Sequence, residues 1–229
     1  AAVANLSSAH ARAAPWSGEA ALAGLLHDLG KYGERFQGRL EGKDSGLDHW
    51  SQGAWVALSK YRAIGAALAI QGHHVGLQRG DSSALRGMAL STLAARHPFN
   101  LQLSDPDANR LVQRAHADGL QFDTPSSTDL SLQGSFAQAV AAMLDVRLLF
   151  SCLVDADFLD TEAHFEGDSQ GKRPRPAGPT LDAQAGLDAL NRYMGEKIRA
   201  GTQADAKVLA AREASFGRCG SRSSHILGG

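Results

Sequence analysis

The eleven residues from Glu19 to Leu29 constrain this chain most. The helix they would form is apolar nearly all round, through Ala20, Ala21, Leu22, Ala23, Leu25, Leu26 and Leu29. A helix with so little solvent face has to be buried centrally, with other helices around it. The composition can provide them. Among 229 residues there are 39 alanines and only 18 β-branched residues (8 Val, 4 Ile, 6 Thr), which favours helix and excludes an all-β fold. The expected fold class is all-α, a helical bundle with a single main core.

The rest of the chain reads as helices and breakers. Val3, Leu6, His10 and Ala13 recur at helical steps until Pro15 stops them. This segment starts without Met and already in mid-helix, which suggests a chain that begins before Ala1. Gly30 is the expected C-cap of the apolar helix, and residues 38–46 are a Gly-rich loop. Asp48 sits where an N-cap belongs, ahead of a helix through Tyr61, and Arg62 to Gln71 makes another that ends at Gly72. Further helices are expected near 83–96 and 107–117, with loops at His97-Pro98 and 124–127. A long helix follows over 133–162. The Pro-rich, basic stretch 166–180, with Lys172-Arg173-Pro174-Arg175-Pro176, reads as a surface linker or loop. C-terminal helices packing on the core are expected over 181–215, and 216–229 reads as a disordered tail.

Charge and cysteine content exclude some partners. The formal net charge is −1, so no whole-molecule field gathers nucleic acid or anionic lipid, and any such partner must be held by a local site. Cys152 and Cys219 are two lone cysteines in a chain too large to need a bridge, which fits a reducing compartment; the expected location is cytoplasmic. No apolar run approaches the roughly 18–20 residues of a membrane span.

The chemistry lies in the histidines and aspartates. His27-Asp28 puts an imidazole and a carboxylate inside the most apolar helix, where each needs a metal, a counter-ion or a hydrogen-bonded partner. Lys31, one turn on, offers a plain alternative, a helix end with Asp28 paired to Lys31. Asp157 is the second signal. At about 100° per residue, with Phe150 at zero, Leu153 falls near −60°, Val154 near +40° and Asp157 near −20°, on the apolar stripe formed by Met143, Val146, Phe150, Leu153 and Val154. Its partner is either a metal ion or Arg147. His49 opens its helix, and His73-His74 follow a helix end; adjacent rings diverge too far to chelate one ion easily but could serve two. Two-metal phosphoester hydrolases need such a set, imidazoles and a shared carboxylate around ions about 3.5–4 Å apart. His10, His97, His116, His164 and His225 read as surface, loop or helix-end residues without a catalytic role, and Cys152 lies off the central stripe.

The run Leu25-Leu26-His27-Asp28-Leu29-Gly30-Lys31, with Phe36-Gln37, Asp48-His49, Gly53-Ala54, His73-His74 and Ala156-Asp157-Phe158-Leu159, resembles the HD-type nuclease domain of type I CRISPR interference proteins. The His-Asp doublet alone belongs to the whole HD phosphohydrolase superfamily; the combination is more specific. The resemblance covers residues 1–165 and implies an HD-domain helical bundle with a metal site between central helices. It implies metal ligation by His27, Asp28, His49, His73, His74 and Asp157, catalytic roles for Asp28 and Lys31, and Lys31 near the scissile phosphate. The family pattern also has a His opening the first helix, which here would fall just before Ala1; His10 is too far along to match it.

The function implied is metal-dependent hydrolysis of single-stranded DNA for antiviral defence, alongside an RNA-guided CRISPR surveillance complex. A helicase domain or subunit is the further expected partner; this sequence has no phosphate-binding Gly-x-x-x-x-Gly-Lys-Ser/Thr loop. Mixed imidazole and carboxylate ligands suit one or two divalent transition metal ions (Fe, Mn, Co or Ni) better than Mg. Lys43, Arg79, Arg86 and the 172–175 run are candidates for tracking the strand. Two other readings stand beside this one: an HD phosphohydrolase acting on nucleotides or cyclic nucleotides, and a non-catalytic module that docks a partner.

Overall fold

In the computed structural model, α1 (Ala2–His10) lies against α2 (Ser17–Leu26), the helix of the apolar segment. The structure describes residues 1–125, 136–168, 180, 182–199 and 210. A 3-10 turn (Leu29–Tyr32) and α3 (Glu34–Leu40) follow, then β1 (Leu47–Asp48), α4 (Ser51–Ser59) and α5 (Ile64–Val75). Next come α6 (Ser82–Gly87), α7 (Leu90–Ala95), β2 (Gln102–Leu103), α8 (Ala108–Ala117), α9 (Phe136–Glu166) and α10 (Ala183–Arg199). The described residues are thus mostly helical, with one short parallel pairing of β1 on β2. None of their helices is long and apolar enough to cross a membrane.

The chain divides into two units, Ala1–Pro174 and Arg175–Gly229. In the first, α2 touches α1, α4, α5 and α9, the central place its sequence demands. Ala20, Ala23 and Leu26 of α2 are fully buried, as are Leu68 and Ile70 of α5 and Val146, Leu149 and Leu153 of α9. Small residues let these helices approach closely. A Cβ on Gly53 would lie 1.8 Å from the Leu26 carbonyl oxygen, so the α2–α4 crossing admits glycine alone there. The second unit contributes α10, on the amphipathic segment that begins at Leu181.

Several boundaries differ from the sequence expectation, each for a physical reason. The apolar helix ends at Leu26, and Gly30 is not its cap. Instead Gly30 lies within the 3-10 turn and donates its N–H to the His49 carbonyl at 2.9 Å; a Cβ there would meet His49 Cα at 2.5 Å. The Gly-rich loop starts later than expected, because α3, anchored by buried Phe36, takes in its first three residues, Gly38 to Leu40. The fifth helix runs through Gly72 and carries His73-His74 in its last turn, since Gly72 packs against Leu77 and Phe150 rather than ending the helix. His49 precedes α4 rather than opening it. The segment 83–96 is two short helices, α6 and α7. His164 lies within α9, not after it. Residues 126–135, most of the 166–180 stretch, nearly all of 200–215 and the whole tail lie outside the described residues.

Candidate metal centre

All the candidate ligands but Asp157 lie at or beside the end of an element. His27 follows the last residue of α2, Asp28 precedes the 3-10 turn, His49 follows β1, His73 and His74 end α5, and Asp157 projects from the middle of α9. The α2, α5 and α9 packing brings these positions together. His27 Nε2 lies 3.1 Å from Asp28 Oδ2 and 3.5 Å from Asp157 Oδ1. His49 Nε2 lies 3.4 Å from Asp28 Oδ1 and 3.0 Å from His74 Nε2. Two groups of described residues could therefore hold a metal ion: His27, Asp28 and Asp157, and Asp28, His49 and His74. Asp28 belongs to both, one oxygen facing each side.

Sequence reasoning expected His73 and His74 to serve different positions. His74 joins His49 and Asp28, whereas His73 sets its ring edge-on to His27, centroids 5.4 Å apart, and lies in neither group. Its tautomer is nonetheless that of a ligand. His73 Nδ1–H donates to the Ile70 carbonyl at 2.6 Å, which leaves Nε2 buried without a hydrogen-bond partner. His27 repeats the arrangement, donating from Nδ1 to the Gly24 carbonyl at 3.0 Å and turning Nε2 toward the carboxylates. A ring fixed by a backbone carbonyl at one nitrogen presents the other as a defined donor, the usual state of a metal-binding histidine. The donor chemistry and the orphaned Nε2 of His73 fit a divalent ion.

The electrostatics are tightly coupled. Burial opposes charge on Asp28, yet hydrogen bonds with His27, His49 and Lys31 hold its carboxyl well below the usual carboxylate range. Burial also disfavours a charged His27, but Asp157 and Asp28 outweigh it and push the ring up to about 9. Asp157 is lowered chiefly by its hydrogen bond with His27, so its partner is His27 rather than Arg147. His73 is pushed down to about 4 by burial, then by His74 beside it, and His74 is lowered by burial and by His49.

Lys31 Nζ meets Asp28 Oδ2 at 2.5 Å, so the plain pairing expected from sequence is also present, within the cluster. Lys31, His27, Asp28, Asp157 and Tyr32 line a cavity of about 260 Å³. The Phe36-Gln37 pair supports the site from α3. Phe36 packs on the His49 ring at 5.0 Å, and Gln37 donates to the Lys31 carbonyl at 2.7 Å. His10 stays apart, paired with Asp155 at 3.2 Å, and His116 Nδ1–H donates to the Leu120 carbonyl at 2.7 Å. Lys43 pairs with Glu41, and the 172–175 run lies outside the described residues.

Sequence reasoning missed His97. Its side chain is 2% exposed and its Nε2 lies 2.8 Å from Asp48 Oδ2, itself fully buried. The two are 49 positions apart, so no periodicity links them. No family model, curated protein or solved structure matches this chain.

Proposed function

We propose that this chain is a metal-dependent HD-type nuclease that hydrolyses phosphodiester bonds of single-stranded DNA, acting in type I CRISPR interference beside an RNA-guided surveillance complex and a helicase. The observation that carries the reading is the convergence of His27, Asp28, His49, His74 and Asp157 into two ion-sized groups sharing Asp28, with His73 Nε2 orphaned beside them. Mixed nitrogen and oxygen donors favour Mn, Fe, Co or Ni over Mg.

A bound ion of this type supplies Lewis acidity toward phosphate and lowers the pKa of water. The protein's own groups do the rest. Asp28 and Asp157, ionised at neutral pH, offset cationic charge in a buried place. The Gly24 and Ile70 carbonyls hold the His27 and His73 rings in one tautomer. Lys31, half-exposed at the cavity, can release Asp28 and donate N–H groups to phosphate oxygens as negative charge develops.

Purified protein given Mn²⁺, Co²⁺, Ni²⁺, Fe²⁺ or Mg²⁺ in turn, with labelled single-stranded DNA and a panel of nucleotides and cyclic nucleotides, tests the reading. Cleavage of DNA with a transition ion, abolished in Asp28→Ala, is the expected result. Turnover of nucleotides without DNA cleavage would replace it with the nucleotide phosphohydrolase. Protein that retains no metal and cleaves neither would leave a docking module.

A further inference from the structure

We infer that Asp48 and His97 form a buried dyad that positions His49, an inference that rests on His49 being a metal ligand. Asp48 uses both carboxylate oxygens. Oδ1 accepts the N–H groups of Trp50 and Ser51, each at 2.9 Å, which closes the turn immediately around His49. Oδ2 receives His97 Nε2–H at 2.8 Å. The direction of that bond follows from the other side of the ring, where His97 Nδ1 accepts the N–H groups of Phe99 and Leu101 at 3.2 and 3.4 Å. A nitrogen that accepts cannot carry the proton, so the hydrogen is on Nε2.

The backbone of Asp48 is held as firmly as its side chain. Its carbonyl accepts Ser104 N–H at 2.9 Å through the β1–β2 pairing, and Gln52 Nε2 bonds to Ser104 Oγ at 3.0 Å. On the next residue, the His49 carbonyl accepts Gly30 N–H at 2.9 Å, linking it to the turn that carries Lys31. His49 is thus fixed through its backbone while its ring faces Asp28 and His74. Its Nδ1 is buried and makes no hydrogen bond, so no partner on that side orients the ring. Orientation instead comes from the flanking chain and from the rings of Phe36, Trp50 and His74. His97 completes that flanking chain. Without it, one oxygen of a fully buried carboxylate loses its donor, and the turn that aims His49 loses a constraint.

The test compares the wild-type chain with His97→Leu, which removes the donor, and His97→Gln, which can restore an N–H to Asp48. Two readouts are taken. In metal-free protein, ¹⁵N-imidazole NMR should show His97 protonated at Nε2, and His97→Leu should shift the His49 ring signals, assigned by their loss in His49→Asn, while leaving those of His116 in place. His97→Gln should restore them. In Co²⁺ titrations followed by absorption, His97→Leu should weaken binding by about 10-fold or more, with most of the loss recovered in His97→Gln. Unchanged His49 signals, or unchanged Co²⁺ affinity, in a folded His97→Leu would overturn the inference. So would a wild-type His97 protonated at Nδ1, a reading that needs no variant should His97→Leu fail to fold. If wild type takes up no Co²⁺, the proposed function falls, and the metal-free ring spectra alone decide the dyad.

Discussion

Asp28 faces His27 and Lys31 through one oxygen and His49 through the other, so removing it disturbs both candidate ion positions at once. His74 contributes to one group only. Metal analysis after dialysis against Co²⁺ should therefore separate the two residues. Asp28→Ala should retain less than about a tenth of an ion per chain, and His74→Ala about half the wild-type content. Equal uptake by wild type and Asp28→Ala would place the ions elsewhere. His27 adds a pH dependence. Its ring holds a proton up to about 9, and an ion bound at Nε2 must displace it. Affinity for Co²⁺ should rise about tenfold per pH unit from about pH 7 toward about pH 9 and then flatten. A flat profile across that range, followed by calorimetry in buffers of different ionisation enthalpy, would show that His27 does not ligate. His27, Asp28 and Asp157 were legible as candidates because His and Asp on apolar segments stand out in a sequence, whereas His73, expected from the resemblance, lies beside the two groups and in neither. His97 was not legible, because its partner Asp48 lies in β1, 49 positions earlier, and only the β1–β2 pairing brings that strand beside the segment that follows His97.

At the scale of elements, α2 holds α5 by a buried hydrogen bond as well as by packing. Glu19, 1% exposed, reaches from α2 to accept the Ala66 N–H at 2.9 Å, in the first turn of α5, where the helix dipole favours an anion. Burial nevertheless dominates and pushes Glu19 from its ordinary 4.5 up to about 7, against the bonds from Ala66 and Gly65. A group with a raised native pKa binds protons more tightly when folded. Its contribution is therefore fully present below about 4.5 and is lost as pH rises through about 7. The shift corresponds to about 3 kcal/mol. Glu19→Gln keeps an acceptor for Ala66 without the charge, so the variant should be more stable than wild type by about 1–3 kcal/mol at pH 8 and close to it at pH 5. Urea denaturation at the two pH values measures this, and an equal difference at both would mean that Glu19 is not titrating. Sequence reasoning saw the helices but misjudged their ends. Gly30 and Gly72 looked like stops, and both are places of close approach, to His49 and to Leu77 and Phe150, which no local pattern reveals.

The all-α architecture was legible from alanine content and the apolar segment, since both act on any chain whatever its topology. The net charge of −1 carries more information beside the ion pairs than it did alone. Many cations of the first unit already have anionic partners: Lys31 with Asp28, Arg35 with Asp44, Lys43 with Glu41, Arg110 with Asp105, and Arg114 with Glu34. A strand that neutralised its phosphates on these groups would have to break those pairs, so few counterions should be released on binding. For single strands, log K falls with log salt at about 0.7 per phosphate neutralised. Two or three contacts, at Lys31 and at residues such as Arg79 and Arg86, would give a slope of about −1.5 to −2. Anisotropy of a labelled oligothymidylate with the Asp28→Ala variant, which the proposed function expects not to cleave it, reads that slope between about 50 and 200 mM salt. Under the proposed function, a shallow slope with weak binding would assign strand capture to the partner complex and leave positioning and hydrolysis to this chain. A slope of about −4 or steeper would instead require an extended basic track on this chain, and capture would then begin here.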